Sequence, residues 1–182
     1  MIQSTKVKIS SPITFYQSTF SQLPKWLEDA DTSQLKRLSS LFWNCFSLEK
    51  IILPNWNVEK VLTFERAFDN CSVLTEIDIS NWNAYQGQYF SISGCPYLHT
   101  LKWNHFGEFH YLTTKVDFSS CPLGTGGDES VKSVRDTFVK NSFDRTKETM
   151  YKSLVVTFNA NTMALFTEEE IAEMTAKGYT IS

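Results

Sequence analysis

His99, His105 and His110 lie close together in the chain, beside Cys95 and Glu108. Imidazole, thiol and carboxylate groups hold zinc or drive nucleophilic hydrolysis, so this stretch is the first place to look for chemistry. The spacing argues against both uses. No two histidines stand at the helical spacing of a zinc protease, no Cys-x-x-Cys pair exists, and a hydrolase would also need a nucleophile and an oxyanion hole. The segment Gly124-x-Gly126-Gly127 lacks the Lys-Ser/Thr that follows in a phosphate-binding loop and reads as a connection. Trp56 and Trp82 could stack on sugars, but they recur at an inward position, which favours core packing. The sequence therefore assigns no catalytic, cofactor-binding or metal-binding residue.

Cysteine gives the clue to organisation. Phe42, Asn44, Cys45, Leu48, Ile51, Leu53, Asn55, Trp56 and Asn57 recur 26 residues later as Phe68, Asn70, Cys71, Leu74, Ile77, Ile79, Asn81, Trp82 and Asn83. A third copy follows after 24 residues as Gly94, Cys95, Leu98, Leu101, Trp103 and Phe106. A fixed period of this size marks a stack of small structural units. Alternate side chains of a strand face one way, so Ile51 with Leu53, Ile77 with Ile79, and Leu101 with Trp103 point inward. Trp56, Trp82 and Phe106 turn back into the core behind them. Leu35, Leu38 and Phe42 correspond to Val61, Phe64 and Phe68, so a buried return segment repeats as well. Thr113, Val116, Phe118 and Cys121 suggest a fourth strand in the same register, only 15 residues after the third copy.

The pattern predicts an α/β leucine-rich-repeat solenoid with short parallel strands, one per coil, and a helical C-terminal cap. The expected organisation is an N-terminal cap over 1–30, repeats over 31–123, and a C-terminal α/β cap over 124–182, all in one continuous domain. In the first cap, Val7, Ile9, Ile13 and Phe15 alternate like a strand, with Phe20, Leu23, Trp26 and Leu27 behind. In the last, Val131, Val134 and Phe138 mark a helix, and Leu154, Val156 and Phe158 a strand. Thr167 with Glu170 forms a capping box, Gly178 ends that helix, and residues 179–181 can add an edge strand. Stacking should set Cys45, Cys71 and Cys95 in a column with parallel side chains, an arrangement suited to free buried thiols.

The run Phe-x-Asn-Cys-x-Ser-Leu-x-x-Ile-x-Leu-x-Asn-Trp-Asn resembles the BspA-like leucine-rich repeats of bacterial surface proteins, over roughly residues 31–123. The stretch from Ala164 to Ile181 is similar to a tail found with such proteins in gut Bacteroidetes and their phages. The resemblance implies an adhesive or structural protein exposed on a surface. The N-terminus shows no apolar signal region, which turns the expectation toward a phage virion, as a tail or capsid-associated component.

Composition closes off other classes. Hydrophobic residues make up 42% and charged residues 20%, enough apolar material for a core and too little charge for a disordered chain. The net charge of −3 lacks the basic excess that phosphate binding needs, so nucleic acid is not an expected partner. No apolar run approaches the length of a membrane span. A binding role would use the outward strand residues Lys50, Glu76, Thr100 and Lys115, with Ile52, Asp78, Lys102 and Asp117 beside them. The function expected is a non-catalytic interaction or structural module without a cofactor, with virion neighbours or a protein or glycan as partner. Unpaired backbone at a sheet edge or the last strand leaves oligomerisation open. The alternatives are a bacterial cell-surface adhesin binding host protein or glycan, and a hydrolase using the three histidines.

Overall fold

The computed structural model describes residues 6–10, 12–109, 113–147 and 153–182. Strands β1 (Lys50–Ile52), β2 (Glu76–Asp78) and β3 (Thr100–Lys102) form a parallel sheet in that order. Its register sets Ile51 beside Ile77 and Ile77 beside Leu101. A second parallel sheet joins β4 (Lys115–Phe118), β5 (Leu154–Phe158) and β6 (Tyr179–Ile181). The helices are a one-turn α1 (Lys25–Glu28), α2 (Asp128–Arg135) running straight into a π-helical turn (Asp136–Lys140), α3 (Ala160–Met163) and α4 (Glu168–Ala176). The architecture is α/β, with short parallel strands in two small sheets and a C-terminal helix.

Each recurring residue has a physical task between one repeat and the next. Phe15, Phe42 and Phe68 stack with ring centroids 5.6 and 6.2 Å apart. The thiols of Cys45, Cys71 and Cys95 donate to the carbonyls of Phe15, Phe42 and Phe68, one repeat back. The indole N–H groups of Trp56 and Trp82 reach back to the Leu27 and Leu53 carbonyls, both at 2.7 Å, and the two rings stack at 6.0 Å. Both carbonyls also accept a 3.4 Å bond within their own turn, from Ala30 N–H and Trp56 N–H, so each buried indole adds a second and shorter bond that reaches across to the next repeat.

The asparagine before each cysteine answers a backbone demand. Asn44 and Asn70 both have φ of 59°, in the left-handed region that asparagine and glycine tolerate best, and Gly94 takes their place in the third copy with φ of 65°. Asn70 Nδ2 also donates to Asn44 Oδ1, extending a side-chain ladder along the stack. Asn57 and Asn83 use their Oδ1 atoms to accept the N–H two residues on, closing the turn after each tryptophan.

Return segments also bond in series: Phe15 N–H to Leu41, Leu38 N–H to Thr63, Phe42 N–H to Ala67 and Phe64 N–H to Gln88. Leu35, Leu38, Val61 and Phe64 are fully or almost fully buried there. Residues 13–18 thus form a regular rung of this side, whereas the expected N-terminal strand is reduced to that rung and a bridge between Lys8 and Asp31. Behind it Leu27 is buried, but Trp26 is 45% exposed, contrary to the expected packing.

The fourth strand differs from expectation. Cys121 touches Cys95, and the Gly94 N–H bonds to Ser120 Oγ, so the cysteine column continues with an offset of 26 and not with Cys121 in the place of Phe106. Phe118, three residues before Cys121, matches the position of Phe68 before Cys71, so β4 belongs to the return side. The awkward 15-residue spacing disappears. Phe118 then stacks on Phe158 of β5 at 5.9 Å, and the second sheet carries on from there.

The C-terminal elements form as their sequence predicts. Thr167 and Glu170 make both bonds of the capping box, and Gly178 has φ of 91°. The other end of α4 leads into β6, where buried Tyr179 sets its hydroxyl beside the Phe106 and Phe143 carbonyls. The buried guanidinium of Arg145 donates to the Gly107 carbonyl. Thr137 closes the open edge of β3: its hydroxyl accepts from Trp103 N–H at 3.1 Å and donates to the Leu101 carbonyl at 2.9 Å.

Candidate interaction surface

The register of the first sheet lines up Lys50, Glu76 and Thr100 in one column and Ile52, Asp78 and Lys102 in the next. Glu76 sits at the centre. Its Oε2 meets Lys50 Nζ at 3.0 Å and its Oε1 meets Lys102 Nζ at 2.8 Å, so one carboxylate ties all three strands together. Partial burial pushes the Glu76 carboxyl up, but hydrogen bonds and charge from Lys102 and Lys50 outweigh it and hold the group below its ordinary value. Lys102 is raised in turn, chiefly by its bond to Glu76. Asp78 is engaged with the N–H and hydroxyl of Ser80.

Three of the expected surface residues lie elsewhere than the columns predict. Thr100 is buried, because α2 packs over β3 and its hydroxyl meets His99 Nδ1 at 2.9 Å. Lys115 and Asp117 stand on β4, in the other sheet, where they pair with each other at 3.3 Å. The face that remains comprises Lys50, Ile52, Glu76, Asp78 and Lys102, and most of its charge is internally neutralised.

A second exposed feature was not legible as a column. The turn after each motif cysteine carries Phe46, Val73 and Tyr97, exposed by 52%, 37% and 62%. The spacing of the cysteines places these turns on successive repeats, so each of the three carries an exposed apolar side chain. On the return side Tyr16 stacks on Trp43 at 4.9 Å, and the Arg66 guanidinium lies 5.0 Å from the Trp43 ring. That aromatic stack is occupied by the chain's own groups.

The two described histidines, His99 and His105, each bond to a neighbouring side chain and do not meet in one site. His99 bonds to Thr100, His105 Nδ1 meets Glu108 Oε2 at 3.1 Å, and His110 lies outside the described residues. Among the described residues no group of three histidine, cysteine or acidic side chains could hold a metal ion. All four cysteines are free and buried. Contact with Cys121 lowers the Cys95 thiol, yet contact with Cys71 and burial dominate and leave it pushed up to about 12. Contact with Cys95 and burial drive Cys121 upward too, so these two thiols stay neutral and are not nucleophilic thiolates.

The first rung of the return side starts near Ile13, and the comparison with known families starts there as well. Residues 13–92 match the family DUF285, described as "Mycoplasma protein of unknown function". The match spans the two strongest repeats and ends at Ile92, before the third cysteine. No curated protein and no solved structure matches the chain. Among the described residues no helix is long and apolar enough to cross a membrane.

Proposed function

We propose that the chain is a leucine-rich-repeat solenoid of the BspA-like kind that acts as a non-catalytic interaction module, presenting its strand face and the exposed apolar turns to a protein neighbour on a phage virion. The observation that carries this reading is the division of labour among the repeated residues. Phenylalanine, cysteine and tryptophan of each copy bond back into the preceding one, so the residues free to meet a partner are those of the strand face and the turns. Such a stack gives a partner a rigid surface with a regular repeat, which is how repeat proteins recognise their ligands. The resemblance of the Phe-x-Asn-Cys run to surface proteins, and of the C-terminal tail to phage-associated ones, supports the location. Gold-labelled antibody against the chain, applied to purified phage particles and to cells of the source culture, tests it. Label at one structural position of the particle is the expected result; label confined to the cell envelope would transfer the module to an adhesin.

A further inference from the structure

The two edges of the first sheet are finished differently. In a parallel strand, successive residues direct their N–H and C=O groups to opposite sides. On β3 the outward set belongs to Leu101 and Trp103, and one Thr137 hydroxyl takes up the Leu101 carbonyl and the Trp103 N–H. On β1, the bonds from Leu53 N–H to Asp78 and from Thr75 N–H to the Glu49 carbonyl fix which set faces β2. The backbone groups of Lys50 and Ile52 are therefore the outward ones: the Glu49 N–H just before them is bonded to the Ser21 carbonyl, but those of Lys50 and Ile52 meet no hydrogen-bond partner among the described residues. They border a groove of about 220 Å³ lined by Gln22, Leu23, Glu28, Glu49, Lys50 and Ile52.

The chemistry of that groove selects its occupant. Ile52 and Leu23 are partly buried and offer an apolar strip along the edge. The rim is acidic: Glu49 has no ion-pair partner among the described residues, Glu28 is held only by the exposed Lys25, and Lys50 turns its ammonium away to Glu76. We propose that this groove docks an extended peptide carrying lysine or arginine, which adds to β1 as a fourth strand of the sheet. Backbone groups of Lys50 and Ile52 supply the bonding, the apolar strip takes one side chain, and Glu28 with Glu49 receive the cation. The inference rests on the interaction-module reading and names the edge through which that module takes a flexible partner.

The test uses the full chain, a blocked peptide of alternating valine and lysine, and the same peptide with glutamate in place of lysine. Amide exchange and chemical shifts are followed by NMR during titration. The expected result is slowed exchange at Lys50 and Ile52 with Leu101 and Trp103 unchanged, and binding at least about tenfold weaker for the glutamate peptide. Ile52→Pro removes one outward N–H that no other strand uses and should weaken binding about tenfold while β1 still pairs with β2. Should that variant unfold, the double change Glu28→Gln with Glu49→Gln decides, with the preference for the lysine peptide expected to vanish. Absence of protection at Lys50 and Ile52 up to millimolar peptide overturns the proposal, as does undiminished binding to folded Ile52→Pro. Peptide-free dimerisation that protects the same two amides also overturns it, in favour of a second copy as occupant. Any of these failures leaves the virion labelling result untouched, so the two readings fall separately.

Discussion

Trp103 offers the sharpest test of how the repeats are held together. Its indole N–H donates at 2.8 Å to the carbonyl of Trp82, the ring is fully buried, and that carbonyl has no other donor among the described residues. Trp103→Phe keeps an aromatic ring against Phe90, Phe106 and Phe109 but deletes the donor. Leaving a buried carbonyl unpaired costs about 1–3 kcal/mol. The lost ring volume of roughly 40 Å³, at about 24 cal/mol per Å³ of residual cavity, adds about 1 kcal/mol. The expected loss is thus about 2–4 kcal/mol. Urea unfolding followed by circular dichroism should show a lower midpoint with an unchanged slope. The control is Trp26→Phe, where the ring is 45% exposed and donates no bond to the stack, and the change should stay within about 0.5 kcal/mol. A Trp103→Phe cost below about 1 kcal/mol, or one equal to that of Trp26→Phe, would refute the view that indole donors tie each repeat to the last.

Other changes probe the remaining columns. Asn70→Ala forces a side chain with no local hydrogen bond into φ of 59°, and should lose about 1–2 kcal/mol in the same urea assay, whereas Asn70→Gly should lose less. Glu76→Gln should cost about 1 kcal/mol or less at pH 7, because both lysine partners are substantially exposed. The folded carboxyl of Glu76 lies below its unfolded value, so its contribution is complete above the ordinary glutamate value of about 4.3 and disappears as pH falls through the folded one; wild type and variant should converge in acid. The thiol column predicts the opposite sign: with Cys95 at about 12, stability is fully present below about 9 and declines as pH rises from there toward 12. Native protein at pH 8 should resist a thiol reagent at all four cysteines and react rapidly in urea.

The stacking of the repeats was legible in the sequence because identical spacing must place identical residues over one another. The 26-residue recurrence of Trp56 and Trp82 foretold the stacking found between them, and that of Cys45 and Cys71 their equivalent places against the Phe15 and Phe42 carbonyls. The purpose of these residues was not legible, since nothing in a spacing says that an indole or a thiol will donate to a carbonyl one repeat earlier. The fourth copy was misplaced because Val116 and Phe118 alternate like the residues of the first-sheet strands. Period two identifies a strand but not the side of the stack that it occupies; only the partner of Cys121 could settle that. The expected columns broke at Lys115 and Asp117 for the same reason. The exposed apolar turns at Phe46, Val73 and Tyr97 were not legible because the three share no residue type and Phe46 lies one step nearer its cysteine than the others.

The proposed strand docking turns on the asymmetry between the ends of the first sheet. A stacked sheet grows until something with the wrong geometry closes it, and here the stop at β3 is made by one hydroxyl on a helical turn. The residue had to be threonine or serine, because a single atom must both accept from Trp103 and donate to Leu101, and the helix must bring it to the midpoint between them. Thr137→Val keeps the shape and removes the hydroxyl, so two buried backbone groups lose their partner at once and the edge becomes costly to leave bare. The outward groups of Lys50 and Ile52 on β1 border the adjoining groove and have no hydrogen-bond partner among the described residues. One edge of the sheet is therefore closed by Thr137, while on the other the chain's own Ser21 carbonyl reaches only Glu49 and leaves Lys50 and Ile52 unpaired, the two positions that the proposed strand docking would use.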